Sequence, residues 1–255
     1  MMHRFYLPPD QVAQPELTLA DRESHHAINV LRLREGERVA VLDGAGNECL
    51  CELVVADKKA VRLAVKQRNA HEPLPYRITL LQAMTKAKSM DFIVQKATEL
   101  CAHRIVPLSA ERSVAQVDPG DAGAKVDKWR NIAIDSIKQC GCPWLPEIEE
   151  PVTPRKYMAR SEAADLPLIA SLQGGTRHPR EHVEGFIAVS GRPPVTISIW
   201  IGPEGDFTPA ESDGILSSGA LPITLGKVVL RSETAAVYCL AVLNYELQAP
   251  LKGSA

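Results

Sequence analysis

The sequence predicts an α/β protein: a mainly parallel sheet covered by helices on both faces, preceded by a small β-rich domain. Three observations predict it. Val195–Ile201 is an apolar, β-branched run that reads as a buried strand. It breaks into a loop, Gly202-Pro203-Glu204-Gly205-Asp206, and then into Thr208-Pro209-Ala210-Glu211, a capping box with proline at the first helical position. Strands and helices alternate in this way through the last two thirds of the chain, which implies βαβ units and parallel pairing. The first seventy residues lack that alternation and show only short strand-like runs between turn clusters.

In chain order, a short helix is expected over His25–Leu31, then strands over Glu37–Asp43, Glu48–Val55 and Ala60–Lys66. In the last of these, Val61, Leu63 and Val65 face one way and Arg62 and Lys66 the other. The separators Asp43–Asn47 and Asp57–Lys59 are turn-like, so these strands suit a meander in a small sheet or barrel. Residues 67–75, polar with two prolines, read as a linker. A strand follows at Tyr76–Ala83. Ser89–His103 is the strongest helix, with Met90, Ile93, Val94, Ala97, Leu100 and Cys101 at helical spacing. A strand at Ile105–Leu108, a helix at Lys125–Gln139 and a short helix from Thr153-Pro154 come next. Strands at Leu166–Leu172, Val195–Ile201 and Leu221–Leu225 precede a last helix from about Thr234 to Leu247, with Ser232 placed to cap it. The expected division is a first domain at 1–70 and a second at 71–255.

Composition bounds the function. The chain has 255 residues, 45% hydrophobic and 24% charged, which is ordinary for a globular protein. No apolar run approaches a membrane span, and the start, MMHRFYLPPDQ, lacks the apolar core of a secretory signal. No membrane partner is expected, and a cytoplasmic location is. The net charge of −2 means that an RNA binder must concentrate its positive charge locally. Six cysteines include Cys49 and Cys51 on one strand face and the pair Cys140-Gly141-Cys142. Neither pair has zinc-ribbon spacing, so reduced structural thiols are expected and no metal.

Two segments carry chemistry. Ile201-Gly202-Pro203-Glu204-Gly205-Asp206 follows a strand, and in open α/β sheets ligands bind at the carboxyl ends of strands. It is neither a Walker loop nor a dinucleotide fingerprint. Leu225-Gly226 through Leu230-Arg231-Ser232-Glu233-Thr234-Ala235 runs from a strand through a glycine into a helix start. Ser232 and Glu233 suit that helix end, whereas Arg231 opposes its dipole and so calls for an anionic or polar partner.

Together these segments resemble the ribosomal RNA small subunit methyltransferase E family of the SPOUT superfamily. The resemblance covers almost the whole chain. RFYL and HHAINVLRLREGE resemble that family's first, PUA-like β-barrel domain. KAKSMDFIVQKATELCAHRIVPLSAERSV resembles its central signature, and IGPEGDF and LGKVVLRSETA its two cofactor loops, which are the most specific. The resemblance implies a knotted α/β domain, in which a deep trefoil knot holds S-adenosylmethionine; periodicity alone points only to a doubly wound sheet. It implies methylation of N3 of a uridine in 16S ribosomal RNA, within the small ribosomal subunit, by a homodimer. Cofactor contacts would fall on Leu172, on Ile201, Gly202, Pro203, Glu204 and Gly205, and on Leu225, Gly226, Leu230, Thr234 and Ala235. The apolar last helix, with Val237, Leu240, Ala241 and Leu243, serves either the dimer contact or the core.

Uridine N3 lies on the Watson–Crick edge and carries a proton, so the base must be exposed and the charge developing on uracil stabilised. Arg231 is the candidate catalytic cation and Glu233 the candidate that orients it or takes the proton. Candidate RNA contacts are Arg4, Arg32 and Arg34 in the first domain and Lys86, Lys88 and Arg112 in the second, with His25 and His26 open to stacking on RNA or to a local role. Two positions depart from the family pattern: Asp206 stands where a second glycine is usual, and Cys142 where an arginine is usual, with Lys138 as its possible substitute. Two other readings remain, a methyltransferase of another RNA such as transfer RNA, and a catalytically silent RNA-binding or ribosome-assembly factor.

Overall fold

A computed structural model describes residues 2–115, 118–173 and 175–248. The chain forms two compact units: residues up to Pro73 together with Ile134–Leu145, and Leu74–Ala133 together with the remainder from Pro146. A single cut at residue 70 does not provide for 134–145, which group with the first unit.

The first unit holds a five-stranded sheet. Its strands are β1 (His3–Tyr6), β2 (Glu16–Ala20), β3 (Arg38–Leu42), β4 (Asn47–Val55) and β5 (Ala60–Ala70), in the order β1-β3-β4-β5-β2. Only β1 and β3 run parallel. The expected meander is thus β3-β4-β5, flanked by two strands that the sequence reading missed. Alternation works as predicted: Val61 and Leu63 are buried while Arg62 is exposed. Cys49 and Cys51 share the buried face with Leu53, and burial pushes the Cys51 thiol up to about 12. They are packing residues. Among the described residues, no group of side chains is arranged to hold a metal ion.

Two expectations are corrected here. The linker at 67–75 is half strand: Gln67–Ala70 pair with Asn47–Leu50. Their polarity reflects partners rather than a break, because the Arg68 guanidinium donates to the carbonyls of Val12 and Gln14. The helix expected at His25–Leu31 is α2 (Asp21–His25) continued by one wider turn at His26–Val30. A further helical turn, α1, covers Pro9–Val12.

The second unit is built on six parallel strands: β6 (Arg77–Ala83), β7 (Arg104–Leu108), β8 (Glu147–Ile148), β9 (Leu166–Ala170), β10 (Thr196–Ile201) and β11 (Leu221–Ile223). Their order is β11-β9-β10-β6-β7-β8. The helices are α3 (Ala87–Glu99), α4 (Ala122–Cys140, its end grouping with the first unit), α5 (Pro154–Met158), α6 (Pro179–Ser190), α7 (Pro209–Ser217) and α8 (Ser232–Gln248). One sheet face carries Leu81, Val106, Ile169 and Trp200 into a core with Tyr157, Phe207 and Ile215. Alternate residues on the other face, including Ile78, Leu80, Ile105 and Ile199, are fully buried, and α3 and α8 pack against each other there.

The predicted capping box holds. Thr208 and Glu211 form the reciprocal capping box of α7, and Thr153 caps α5. α3 ends at Glu99, earlier than expected, because Cys101 turns into the left-handed region at φ +54°. α6 was not anticipated; His178 and Glu181 cap its start and Gly191, at φ +73°, ends it. No helix among the described residues is long and apolar enough to cross a membrane.

Candidate functional site

Three loops leave the carboxyl ends of β9, β10 and β11 and enclose a cavity of about 270 Å³. This is where a doubly wound sheet offers backbone groups to a ligand. The first loop contributes Leu172, with Ser171, Gln173 and Thr176. The second contributes Ile201, Gly202, Pro203 and Glu204, and also Asp206. The third contributes Leu225, Gly226 and Leu230, with Lys227, Val228 and Val229, and α8 adds Ser232 and Ala235. Of the expected cofactor residues, only Gly205 and Thr234 do not line it. The Gly205 carbonyl instead accepts from Arg112 Nη1 at 3.0 Å, and Thr234 lies exposed on the first turn of α8.

Local geometry explains the loop's composition. A Cβ on Gly202 would meet Asp206 Oδ1 at 3.0 Å and the Phe207 ring at 3.4 Å, so any larger residue would push those neighbours aside. Asp206 stands at φ +58°, in the region that favours glycine. Its N–H donates to the Pro203 carbonyl at 3.0 Å and its Oδ1 accepts from the Phe207 N–H at 2.8 Å. The aspartate therefore keeps the turn that a glycine would make.

Ser232 differs from expectation. The helix begins at Ser232 itself, and the Arg231 carbonyl accepts from the Ala235 N–H at 2.8 Å. The Ser232 hydroxyl donates to the Gly202 carbonyl at 2.7 Å, tying the third loop to the second. It also accepts from Gln82 Nε2 at 2.9 Å. Gln82, fully buried near the end of β6, is a site-supporting residue that the sequence reading missed; a lone amide between Leu80-Leu81 and Ala83-Met84 was the available signal. Its Oε1 is a buried acceptor with no partner among the described residues.

Arg231 and Glu233 flank the cavity without lining it. Arg231 is exposed, and its guanidinium meets no partner among the described residues, so the anionic or polar partner expected of it is not supplied there. Glu233 is half-buried and makes no ion pair with Arg231. Arg32, Arg34, Lys86, Lys88 and Arg112 are exposed. Arg4 is half-buried, donates to the Gln139 carbonyl at 3.4 Å and lies against Gly141, which gives it a structural role. Lys138 is not free to substitute at Cys142, because it pairs with Glu23 at 2.7 Å and Asp135 at 3.0 Å. On α8, Leu240 and Leu243 are buried in the core, which leaves Tyr238, Ala241 and Tyr245 as its exposed face.

The family model for an RNA methyltransferase domain matches residues 72–244, and that for an RNA methyltransferase PUA domain matches 19–66. The ribosomal RNA small subunit methyltransferase E of Bacillus subtilis is 28% identical, over 97% of this chain and 98% of its own length. The protein of the same name from Synechocystis is 29% identical, over 97% of this chain and 79% of its own. Among solved structures, a putative methyltransferase from Legionella pneumophila in complex with the bound cofactor SAM is similar with a TM-score of 0.85 and 30% identity, covering 96% of this chain and 98% of that one. The ribosomal RNA small subunit methyltransferase E of Neisseria gonorrhoeae, bound to S-adenosyl methionine, has a TM-score of 0.81 and 28% identity over the same shares.

Proposed function

The chain belongs to the RNA methyltransferase family, and from that premise we propose that it is an S-adenosylmethionine-dependent enzyme that methylates N3 of a uridine in small-subunit (16S) ribosomal RNA. The observation that carries the reading is the cavity where the loops after β9, β10 and β11 meet. Its walls fit the cofactor: apolar side chains such as Leu172, Ile201 and Leu230 suit a nucleoside and an alkyl chain, and Gly202 and Gly226 let backbone groups approach closely. When bound, the cofactor supplies an electrophilic methyl group.

The residues around the cavity supply the rest. The loops hold the methyl donor in one place, so that an incoming base needs only to be aligned. The free Arg231 guanidinium, beside the cavity at Leu230 and Ser232, stabilises negative charge on the uracil as N3 gives up its proton. Glu233 takes that proton or orients Arg231 through the bound base. RNA is held by Arg32, Arg34, Lys86, Lys88 and Arg112, with Arg4 supporting the first unit. The reading includes a functional division at 1–70 and 71–255, a trefoil knot through the cofactor loops and a homodimer in the cytoplasm. The Ser232 bond to Gly202 ties two of those loops together.

The test is methyl transfer from labelled S-adenosylmethionine to small ribosomal subunits lacking the modification, with free 16S RNA and bulk transfer RNA alongside. Methylation at N3 of one uridine in the subunit is the expected result. Transfer to transfer RNA instead would redirect the substrate. Neither transfer nor cofactor binding would leave a silent RNA-binding protein.

A further inference from the structure

A second cavity, of about 630 Å³, lies at the amino ends of the strands, opposite the cofactor loops. Its floor is one face of the sheet. Arg77, Thr79 and Leu81 alternate on that face of β6, and register places Ser198 beside Thr79, Thr79 beside Arg104, and Thr196 beside Arg77. Neighbouring strands lie about 4.8 Å apart, so these groups form one continuous polar floor. A parallel sheet covered on both faces normally reads as continuous hydrophobic runs. The opposite face obeys this with Ile78, Leu80, Ile197 and Ile199. The row of hydroxyls and guanidiniums is therefore a departure that core packing does not require.

Its hydrogen bonding is incomplete. Arg104 is committed, pairing with Glu149 at 3.2 Å and with Glu162, and donating to the Tyr157 hydroxyl at 3.1 Å. The Ser198 hydroxyl has no hydrogen-bond partner among the described residues and is open to the cavity that its residue lines. Thr79 is likewise unpartnered among the described residues, and Arg77, exposed at the mouth, has no ion pair there. His103 stands at the rim. Burial and then the Arg77 charge hold its pKa below the usual value, Glu147 opposes and Arg104 adds to the lowering, so the ring is neutral near pH 7. Glu162 is spent on Arg104, which leaves Glu147, at the β8 edge, as the facing carboxylate.

The free groups are thus mostly donors: a guanidinium, two hydroxyls and an imidazole N–H. They suit an acceptor-rich anion, in a space too large for phosphate alone and walled in part by Tyr157 and Trp200. We propose that this cavity binds a nucleoside phosphate, its phosphate at Arg77 and its base or sugar over Thr79 and Ser198. The ligand is either a free nucleotide or a nucleotide of an RNA strand. The proposal does not depend on the methyl-transfer reading, because none of these residues lines the cofactor cavity.

The test titrates the full-length protein, with S-adenosylmethionine in excess, with uridine monophosphate and separately with a short oligouridylate. Binding is read by calorimetry and by the NMR titration of the His103 ring. Saturable binding is expected, with the His103 pKa rising as the phosphate charge arrives. Arg77→Ala is expected to weaken it at least tenfold and Ser198→Ala at least threefold, with thermal midpoints confirming that both variants fold. Binding of the mononucleotide identifies the free nucleotide as the ligand; binding of the oligonucleotide alone identifies an RNA strand. Binding of neither probe, or binding indifferent to both substitutions, overturns the proposal.

Discussion

Arg231 and Ser232 are neighbours with opposite tasks. The Arg231 guanidinium projects from the rim without a partner among the described residues, while the Ser232 hydroxyl is enclosed between the Gly202 carbonyl and the Gln82 amide. Substituting each should therefore separate chemistry from binding. Arg231→Ala leaves the cavity wall intact, so the dissociation constant for S-adenosylmethionine should stay within about threefold, whereas turnover should fall on the order of 10²-fold, as for loss of one charge-stabilising donor. Equilibrium dialysis and single-turnover methylation measure the two; equal losses in both would make Arg231 a binding residue. Ser232→Ala does the reverse. It frees the Gly202 carbonyl and leaves the Gln82 amide with the Ala83 carbonyl as its remaining acceptor, costing about 1–3 kcal/mol of stability. Cofactor affinity should drop with it, visible as a lower thermal midpoint and a smaller midpoint rise on adding S-adenosylmethionine. An unchanged midpoint and affinity would show that this bond does not hold the loops together.

At the scale of elements, strands begin and end at devices of differing visibility. The start of β10 is pinned by Asp165, whose carboxylate bonds Arg192 at 2.8 Å and accepts from the N–H groups of Val195 at 2.7 Å and Thr196 at 3.1 Å. Arg192 and these backbone bonds hold its pKa well below the usual carboxylate range. A depressed folded-state pKa adds stability that is present above the unfolded value, near 3.8, and is lost as pH falls toward the folded one. Unfolding midpoints should therefore fall below about pH 4, and Asp165→Asn should be less stable at neutral pH with a flatter acid limb. An identical pH profile in both proteins would remove Asp165 from that role. Nothing in the spacing of Asp165 and Thr196 announces this pairing, because it joins residues about thirty positions apart. What was legible is local. The Thr208–Glu211 box and the apolar runs of β6, β9 and β10 follow from neighbours in sequence. The loop glycines at 202 and 226 were legible as loops, whereas the need for Gly202 comes from Asp206 and Phe207 folding back over it. β1 and β2 are four- and five-residue strands whose pairing depends on partners far along the chain, and Gln82 gains its meaning only when β6 ends beside Ser232.

For the whole molecule, the question is what covers the free side of α8. Its buried side is settled, with Leu240 and Leu243 fully enclosed against the sheet and α3. On the outside, Tyr238 is 44% and Tyr245 71% exposed, with Ala241 between them at helical spacing. Val228 and Val229, in the loop that leads into this helix, are also exposed, at 69% and 75%. Single exposed apolar residues need no explanation, but two aromatic side chains in line on one helix face beside a small residue suit a helix-on-helix contact. A second copy of the chain is the economical partner, since a two-fold contact needs only one such face. It would also bring other side chains toward the loop that carries Arg231, which lacks a partner among the described residues. The expected outcome is a dimer in sedimentation velocity at micromolar concentration. Tyr238→Glu with Tyr245→Glu should shift it to monomer, since two carboxylates on each copy would face each other without partners in a contact meant to exclude water. Both substitutions lie on the solvent side of the helix, so the thermal midpoint of the monomer and its circular dichroism should stay near those of the parent. A parent protein that sediments as a monomer, or a doubly substituted one that remains dimeric, would place the α8 face outside any interface between copies.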